Sequence, residues 1–277
     1  MPAMSHPLFK EPSPEAQIWR YTDLAKFIAM LEHRALYVSN LLALAESDPY
    51  EGHFPDPQVD AFAMLKDLPI AQVRELLKVD SNTDDDTVRA ISETNLRLVR
   101  GLDSRRGCVY VNCWHINEAE SDAMWRLYTL QGQGIAVQST YDRLVRCFHM
   151  AAPYVQIGKV GYFDYSTHMI SMDNVFSPAL NKRASFQHEN ELRVALMNMS
   201  RVFRHVIDRT GSRETVLDVA DQADGFAIEV DLDILIERVV VSPKSPRWIV
   251  TMIEDLLRRY GLDKPVVWSP LYTLSGR

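Results

Sequence analysis

The segment FQHENELRVALMN, residues 186 to 198, holds the densest set of groups able to do chemistry. Taken as a strand, it alternates: Leu192, Val194 and Leu196 point to one face, and Glu189, Glu191, Arg193 and Ala195 to the other. Two carboxylates and a guanidinium then share a surface. Carboxylates two residues apart on a strand repel, so one takes a proton or a cationic partner while the other stays ionised. That division suits a site in which one acid grips a substrate hydroxyl and its neighbour orients a nucleophile. The competing reading is an exposed edge strand with Arg193 in a simple salt bridge.

A second constellation is CWHINEAESDAMWRLYTLQGQGIAV, residues 113 to 137. A strand reaches Trp114 and His115, Glu120 and Ser121 begin a helix, and Gly132 and Gly134 end it before the next strand. Met124, Leu127 and Tyr128 share a helix face with Trp125 beside it, a spacing that serves a core more often than a ligand box. His115 and Glu118 lack a third ligand at fixed spacing, so no metal is expected. The third constellation is WRYTDLAKF followed by LYVSN. Arg20 and Tyr21 end one strand, and Tyr37 and Ser39 sit on the next. An arginine fork can donate two hydrogen bonds to a diphosphate, and a tyrosine ring can stack on a base or a nicotinamide.

Several chemistries lose ground by absence. The chain has neither G-x-G-x-x-G nor G-x-x-x-x-G-K-[ST], and neither G-x-S-x-G nor H-E-x-x-H, which argues against dinucleotide-binding oxidoreductases, P-loop NTPases, ordinary esterases and zincins. Asp164, Asp173, Lys182 and Glu189 form no defensible metal-nuclease spacing.

R-Y-T before a helix and L-Y-V-S-N, then D-P-Y-E-G, A-M-W-R-L-Y with G-I-A-V downstream, and K-R-A-S-F-Q-H-E-N-E-L-R together resemble the bacterial domain-of-unknown-function family two-nine-seven-one. The resemblance spans about residues 19 to 242 and keeps the order of every element, with M-W-x-x-Y and E-x-E-x-R its more specific pieces. The chain departs from the family pattern at Leu41 to Ser47, and Val59 to Gly101 matches only in being helical. Members are often associated with bacterial conflict and phage defence. A more distant likeness is to ADP-ribosyltransferases, whose arginine, serine and glutamate order is matched by Arg20, Ser39 and Glu189/Glu191. It implies an NAD-consuming enzyme with NAD as substrate. Glu191 and Glu189 would be catalytic, and Arg20, Tyr21, Tyr37, Ser39, Trp125 and Tyr128 would bind the nucleotide. Two alternatives stay open. One is a metal-dependent nuclease effector built on Glu189, Glu191, Lys182 and Arg183. The other is a non-catalytic nucleotide-sensing or partner-binding module with a pocket lined by Trp114, Trp125 and Tyr128.

The elements that must position these residues follow from periodicity. After a Pro-rich lead, Ile18 to Tyr21 is extended, and Thr22 can cap a helix with Leu24, Phe27, Ile28 and Leu31 on one face. ALYVSN is a strand. Residues 59 to 101 form a helical insertion, expected as a lid packed on the following sheet. The second half is β-rich, with strands in CVYVNCW, GIAVQST, VQIGKVGYF, ELRVALMN, GFAIEVDL and ERVVVSP, and a final helix in SPRWIVTMIEDLLRRYG. The expected fold is one α+β domain over residues 1 to 277, with a mixed, mainly antiparallel sheet, flanking helices and that insertion.

With 47% hydrophobic and 24% charged residues among 277, the chain can bury a full core, which excludes disorder and fibrous repeats. A net charge of -7 argues against coating nucleic acid by bulk charge. Three cysteines without C-x-x-C read as reduced thiols, and no secretory signal or long apolar run is present, so a cytoplasmic protein without a membrane partner is expected.

Overall fold

Alternation of apolar and polar side chains writes the sheet. In the computed structural model, which describes residues 6–100, 106–129, 134–148, 154–172, 174–198, 203–207, 213–217 and 224–273, the chain opens with β1 (Gln17–Asp23), α1 (Leu24–His33) and β2 (Ala35–Asn40). Short α2 (Leu41–Leu44) leads to an irregular loop, then to α3 (Asp56–Met64), α4 (Ile70–Leu76) and α5 (Asp85–Arg100). The second half runs β3 (Val109–Ile116), α6 (Asp122–Tyr128), β4 (Gly134–Thr140), α7 (Tyr141–Arg146), β5 (Gln156–Lys159), β6 (Gly161–Phe163), β7 (Asn181–Arg183) and β8 (Glu191–Met197). It closes with β9 (Phe203–Ile207), β10 (Arg213–Leu217), β11 (Gly225–Glu229), α8 (Leu232–Leu235), β12 (Arg238–Val241), α9 (Trp248–Arg259) and β13 (Val266–Trp268). This is the expected α+β class. Among the described residues, no helix is long and apolar enough to cross a membrane.

Nine strands form the main sheet in the order β11-β2-β3-β1-β4-β12-β13, with β8 pairing β3 and β5. All its pairs are antiparallel except β12 with β13. One face carries the large core: Ile18, Leu36, Val38, Tyr110, Trp114, Leu192, Val194 and Leu196 pack with Phe27 and Leu31 of α1 and with Ile249, Ile253 and Leu257 of α9. Each of these side chains removes apolar surface from water, at about 1.5–3 kcal/mol per fully buried large residue.

The feature that shapes the site is a split along β3. Its whole length pairs with β8 on one edge, but its other edge is shared. β2 pairs only at Tyr110 and Val111, and β1 only at His115 and Ile116. Between these contacts β1 and β2 diverge, leaving backbone at Asn112 to Trp114 without a ladder partner on that side. Side chains take over, as buried backbone groups require. Arg20 Nη1–H donates to Cys113 O at 2.8 Å, and Asn112 Nδ2–H donates to Tyr37 O at 2.8 Å.

Several local expectations are corrected. Asp23, not Thr22, caps α1, its carboxylate accepting from the Lys26 amide at 2.8 Å, and Ile28 lies on the exposed side, with Met30 buried instead. VQIGKVGYF is two strands: β5 joins the main sheet, whereas β6 pairs parallel with β7 in a separate two-stranded sheet. Arg20 and Tyr21 lie within β1 rather than at its end. α6 stops at Tyr128, and Gly132 lies outside the described residues, as do Asp173 and residues 101–105. The helical insertion meets the rest of the chain through a small cluster in which Val59 and Phe62 pack on Phe54, Tyr165 and Ile170, and buried Gln58 makes two hydrogen bonds of 2.8 Å to the Ile170 backbone. Its docking partner there is the loop after β6 rather than the face of a sheet.

Candidate functional site

Strand alternation places Trp19 and Tyr21 of β1, Tyr37 and Ser39 of β2, Cys113 and His115 of β3, and Glu191 and Arg193 of β8 on the face opposite the large core. They surround a cavity of about 520 Å³ that enters the split between β1 and β2. Arg20, Tyr128, Lys182 and Glu189 line the same cavity, as does Glu51 from the loop after α2.

Glu189 reaches it by a different route from the one the alternation implied. The strand begins only at Glu191; Glu189 ends a 3-10 turn over residues 184–189, and Asn190 at φ 38° reverses the chain into β8. His115 holds that turn, its Nδ1–H donating to Glu189 O at 2.6 Å. The Glu189 carboxylate accepts from Tyr128 O–H at 3.0 Å and from Lys182 Nζ at 2.5 Å.

Nor is β8 an exposed edge with a simple surface pair. Arg193 is wholly buried, and five hydrogen bonds engage its five N–H donors. Nε and Nη2 reach Glu191 Oε2 at 3.1 and 2.8 Å, Nη1 and Nη2 reach the two Glu51 oxygens at 2.6 and 3.1 Å, and Nη1 also reaches Ala179 O at 2.6 Å. Lys182 Nζ stands 3.5 Å from both Glu51 and Glu191 as well as on Glu189. Three carboxylates thus share two cations, with one negative charge in excess. Burial pushes the Glu191 carboxyl up, but the Arg193 and Lys182 charges outweigh it and hold Glu191 below the usual carboxylate range. Burial likewise works against the Lys182 ammonium, and the surrounding carboxylates raise it above its ordinary value. Burial, then the Glu191 charge, pushes the Cys113 thiol up, so it stays protonated and donates to Glu191.

The opposite wall is less committed. Arg20 makes a single hydrogen bond among the described residues, to Cys113 O, and is half-buried beside the gap. Ser39 is half-buried, and Tyr37 is 53% exposed at the mouth, with Tyr128 and Leu127 also open. Lys26 adds a second cation at the rim.

The sequence-derived set therefore converges, with two corrections. Trp125 is not on the cavity wall. It is buried behind it, edge-on to Tyr21 at 4.9 Å between ring centroids, with Nε1–H donating to Glu120. Tyr21 lines the cavity, but its ring is packed between Trp19 and Trp125 and its hydroxyl accepts from the Ser121 amide, so it has no open face for stacking. The open rings belong to Tyr37 and Tyr128. On α6, Met124 and Trp125 are the buried pair while Leu127 and Tyr128 turn outward.

Sequence reasoning missed Glu51, weighed His115 only as a metal ligand, and set Lys182 beside Glu189 and Glu191 only around a divalent ion. The available signal was D-P-Y-E-G: Gly52 adopts φ 69°, and a Cβ there would meet Leu41 Cδ1 at 2.6 Å, so the glycine lets the chain turn and deliver Glu51. Of the residues weighed for a nuclease, Glu189, Glu191 and Lys182 meet at the cavity, while Asp173 lies outside the described residues. Asp164 sits on an exposed turn bonding Ser166, and the point between the three carboxylates where a divalent ion would sit is filled by the Lys182 ammonium. Among the described residues, no group of three or more His, Cys, Asp or Glu suits a metal ion. No protein-family model, curated protein or solved structure matches the chain.

Proposed function

We propose that the protein is a cytoplasmic, NAD-consuming ADP-ribosyltransferase-like enzyme, and that its resemblance to family two-nine-seven-one marks it as a bacterial conflict or phage-defence effector. The observation that carries the enzymatic reading is the convergence of Arg20, Ser39 and Glu191, from three separate strands, on one cavity of about 520 Å³, within the size of ordinary small-molecule sites. Its lining joins the acids Glu51, Glu189 and Glu191 to Arg20, which makes one hydrogen bond among the described residues, and to the exposed rings of Tyr37 and Tyr128.

In the proposed reaction the bond between ribose C1′ and the nicotinamide nitrogen breaks and its electron pair leaves with neutral nicotinamide. The ribose gains positive charge, and an acceptor nucleophile forms the new bond to C1′ while giving up a proton. Ionised Glu191 faces the developing sugar cation, an interaction stronger in the transition state than in the ground state. Glu189 orients or deprotonates the acceptor, Arg20 binds the diphosphate, Ser39 orients the ribose, and Tyr37 with Tyr128 flanks the nicotinamide.

Incubating the pure protein with NAD and measuring nicotinamide tests this directly. Glu191→Gln keeps the side-chain shape and removes the charge, and turnover is expected to fall by about 10²–10³-fold. Absence of release from the wild type, or equal release from the variant, refutes the reading. A second reading, a nucleotide-binding module without turnover, is favoured by one observation: Arg193 and Glu191 Oε2 are tied to each other inside the fold. Saturable NAD binding by calorimetry with no nicotinamide formed would select it.

A further inference from the structure

We infer that Glu51 is a positioning residue of this site, holding Arg193 so that Glu191 faces the cavity in one orientation; the inference rests on the transferase reading above. Glu51 lies 142 residues from Arg193 in sequence, yet its two oxygens take two of the guanidinium's five hydrogen bonds. It is 2% exposed and comes from outside the sheet, on the loop after α2. That loop is itself fastened. Asp48, also buried, accepts from Arg183 Nη2 at 2.5 Å, the Glu51 amide donates to Asp48 O at 2.8 Å, and the Arg183 guanidinium stacks over the Tyr50 ring at 4.8 Å. Position 51 is thus fixed by the backbone, and its carboxylate meets a guanidinium that has no donor left for a ligand. A bidentate carboxylate on one side of the fork leaves the other side in a defined place for Glu191. Without Glu51, Arg193 retains Glu191 and Ala179 O as partners and is free to turn toward Glu189. Glu191 would then shift from the position at which it meets the sugar.

Glu51 also sets the charge around Glu191. The groups facing Glu191 are Arg193 on its own strand, Lys182 of β7, Cys113 of β3, Tyr162 of β6, Tyr128 of α6 and neighbouring Glu189. Glu51 shares Arg193 and Lys182 with it, so neutralising Glu51 leaves both cations more fully to Glu191. Its protonation then moves to lower pH.

The test is the pH dependence of nicotinamide release by the full chain, with Glu51→Gln and Glu51→Asp beside the wild type. Turnover is normalised to the folded fraction taken from the cooperative thermal transition. Glu51→Gln is expected to lower kcat about 100-fold, the cost of misplacing a reacting group by about an ångström. KM for NAD should change little, and the acidic limb of kcat should move to lower pH. Glu51→Asp, which keeps the charge on a shorter stem, should lose part of kcat with the acidic limb where the wild type has it. A purely structural role would lower the melting temperature and move neither kcat per folded molecule nor the limb, and that result overturns the proposal even if the wild type is active. Should Glu51→Gln not fold, Glu51→Asp decides: wild-type kcat overturns the proposal. A wild type that releases no nicotinamide removes the transferase reading and the Glu51 role together.

Discussion

The two walls of the cavity are built on opposite plans. On the β8 side the charged side chains engage one another: Arg193 spends all five donors, Lys182 stands among three carboxylates, and Glu189 is gripped by Tyr128 and Lys182. On the side of β1 and β2, Arg20 makes one bond, and the Ser39 hydroxyl and the Tyr37 ring have room for a partner. A wall saturated with internal bonds can orient charge without rearranging, whereas a wall with spare capacity can read what enters. Under the proposed function, preorganised charge and ligand recognition are separate tasks, one for each wall of the split along β3.

Breaking the saturated wall should cost most. Arg193→Ala leaves three buried carboxylates against a single lysine, and breaking a buried pair in this way costs about 3–5 kcal/mol. Urea unfolding of the two proteins measures it, and a loss as small as that of an exposed surface pair would show that the cluster is not integral to the fold. On the open wall the effect should be smaller and fall on binding. Arg20→Ala removes the charged donor proposed to meet the diphosphate, and on that reading NAD binding weakens by roughly 1.5–3 kcal/mol, about tenfold to a hundredfold in Kd. Arg20→Lys should recover only part, because an ammonium cannot reproduce the planar fork. Equal NAD affinity in all three proteins would remove Arg20 from the ligand.

The smallest expected effect separates the walls by pH. Burial holds the His115 imidazole below its usual value, so the folded protein keeps it neutral where the unfolded chain takes up a proton. Its contribution to stability is complete above about pH 6.5 and declines as pH falls through that value toward the folded one. Glu191, also held low, contributes above the ordinary carboxylate range near 4.5 and loses that contribution only as pH falls further, through its folded value. Chemical denaturation from pH 7.5 to 5 should therefore show a modest loss in the wild type that His115→Gln lacks. A wild-type curve flat through this range would contradict the assignment.

How much of this was legible beforehand follows from the range of each interaction. Strand alternation in residues 191–197 and 109–116 is a property of neighbours, so the apolar face of Leu192, Val194 and Leu196 and the polar face with Glu191 and Arg193 could be read directly. Glu189 was assigned to the strand because the pattern continues through it. The chain instead turns at Asn190, whose left-handed backbone carries no mark in a period-two pattern. The likeness sets Trp125 at the nucleotide, whereas helical spacing favours a core; spacing gives a face but not the direction in which the helix docks, and Trp125 packs behind the wall.

The order of strands, helices and acidic residues, and hence the α+β class, lay in the chain itself, since each depends on side chains only a few positions apart. Which groups meet did not. Glu51 finds Arg193, and Arg20 reaches the Cys113 carbonyl, only because β1 and β2 part along β3 and a glycine turns the loop at residue 52. Contacts across such separations are fixed by register, loop path and the need to satisfy buried charge, and these exist only once the sheet has closed.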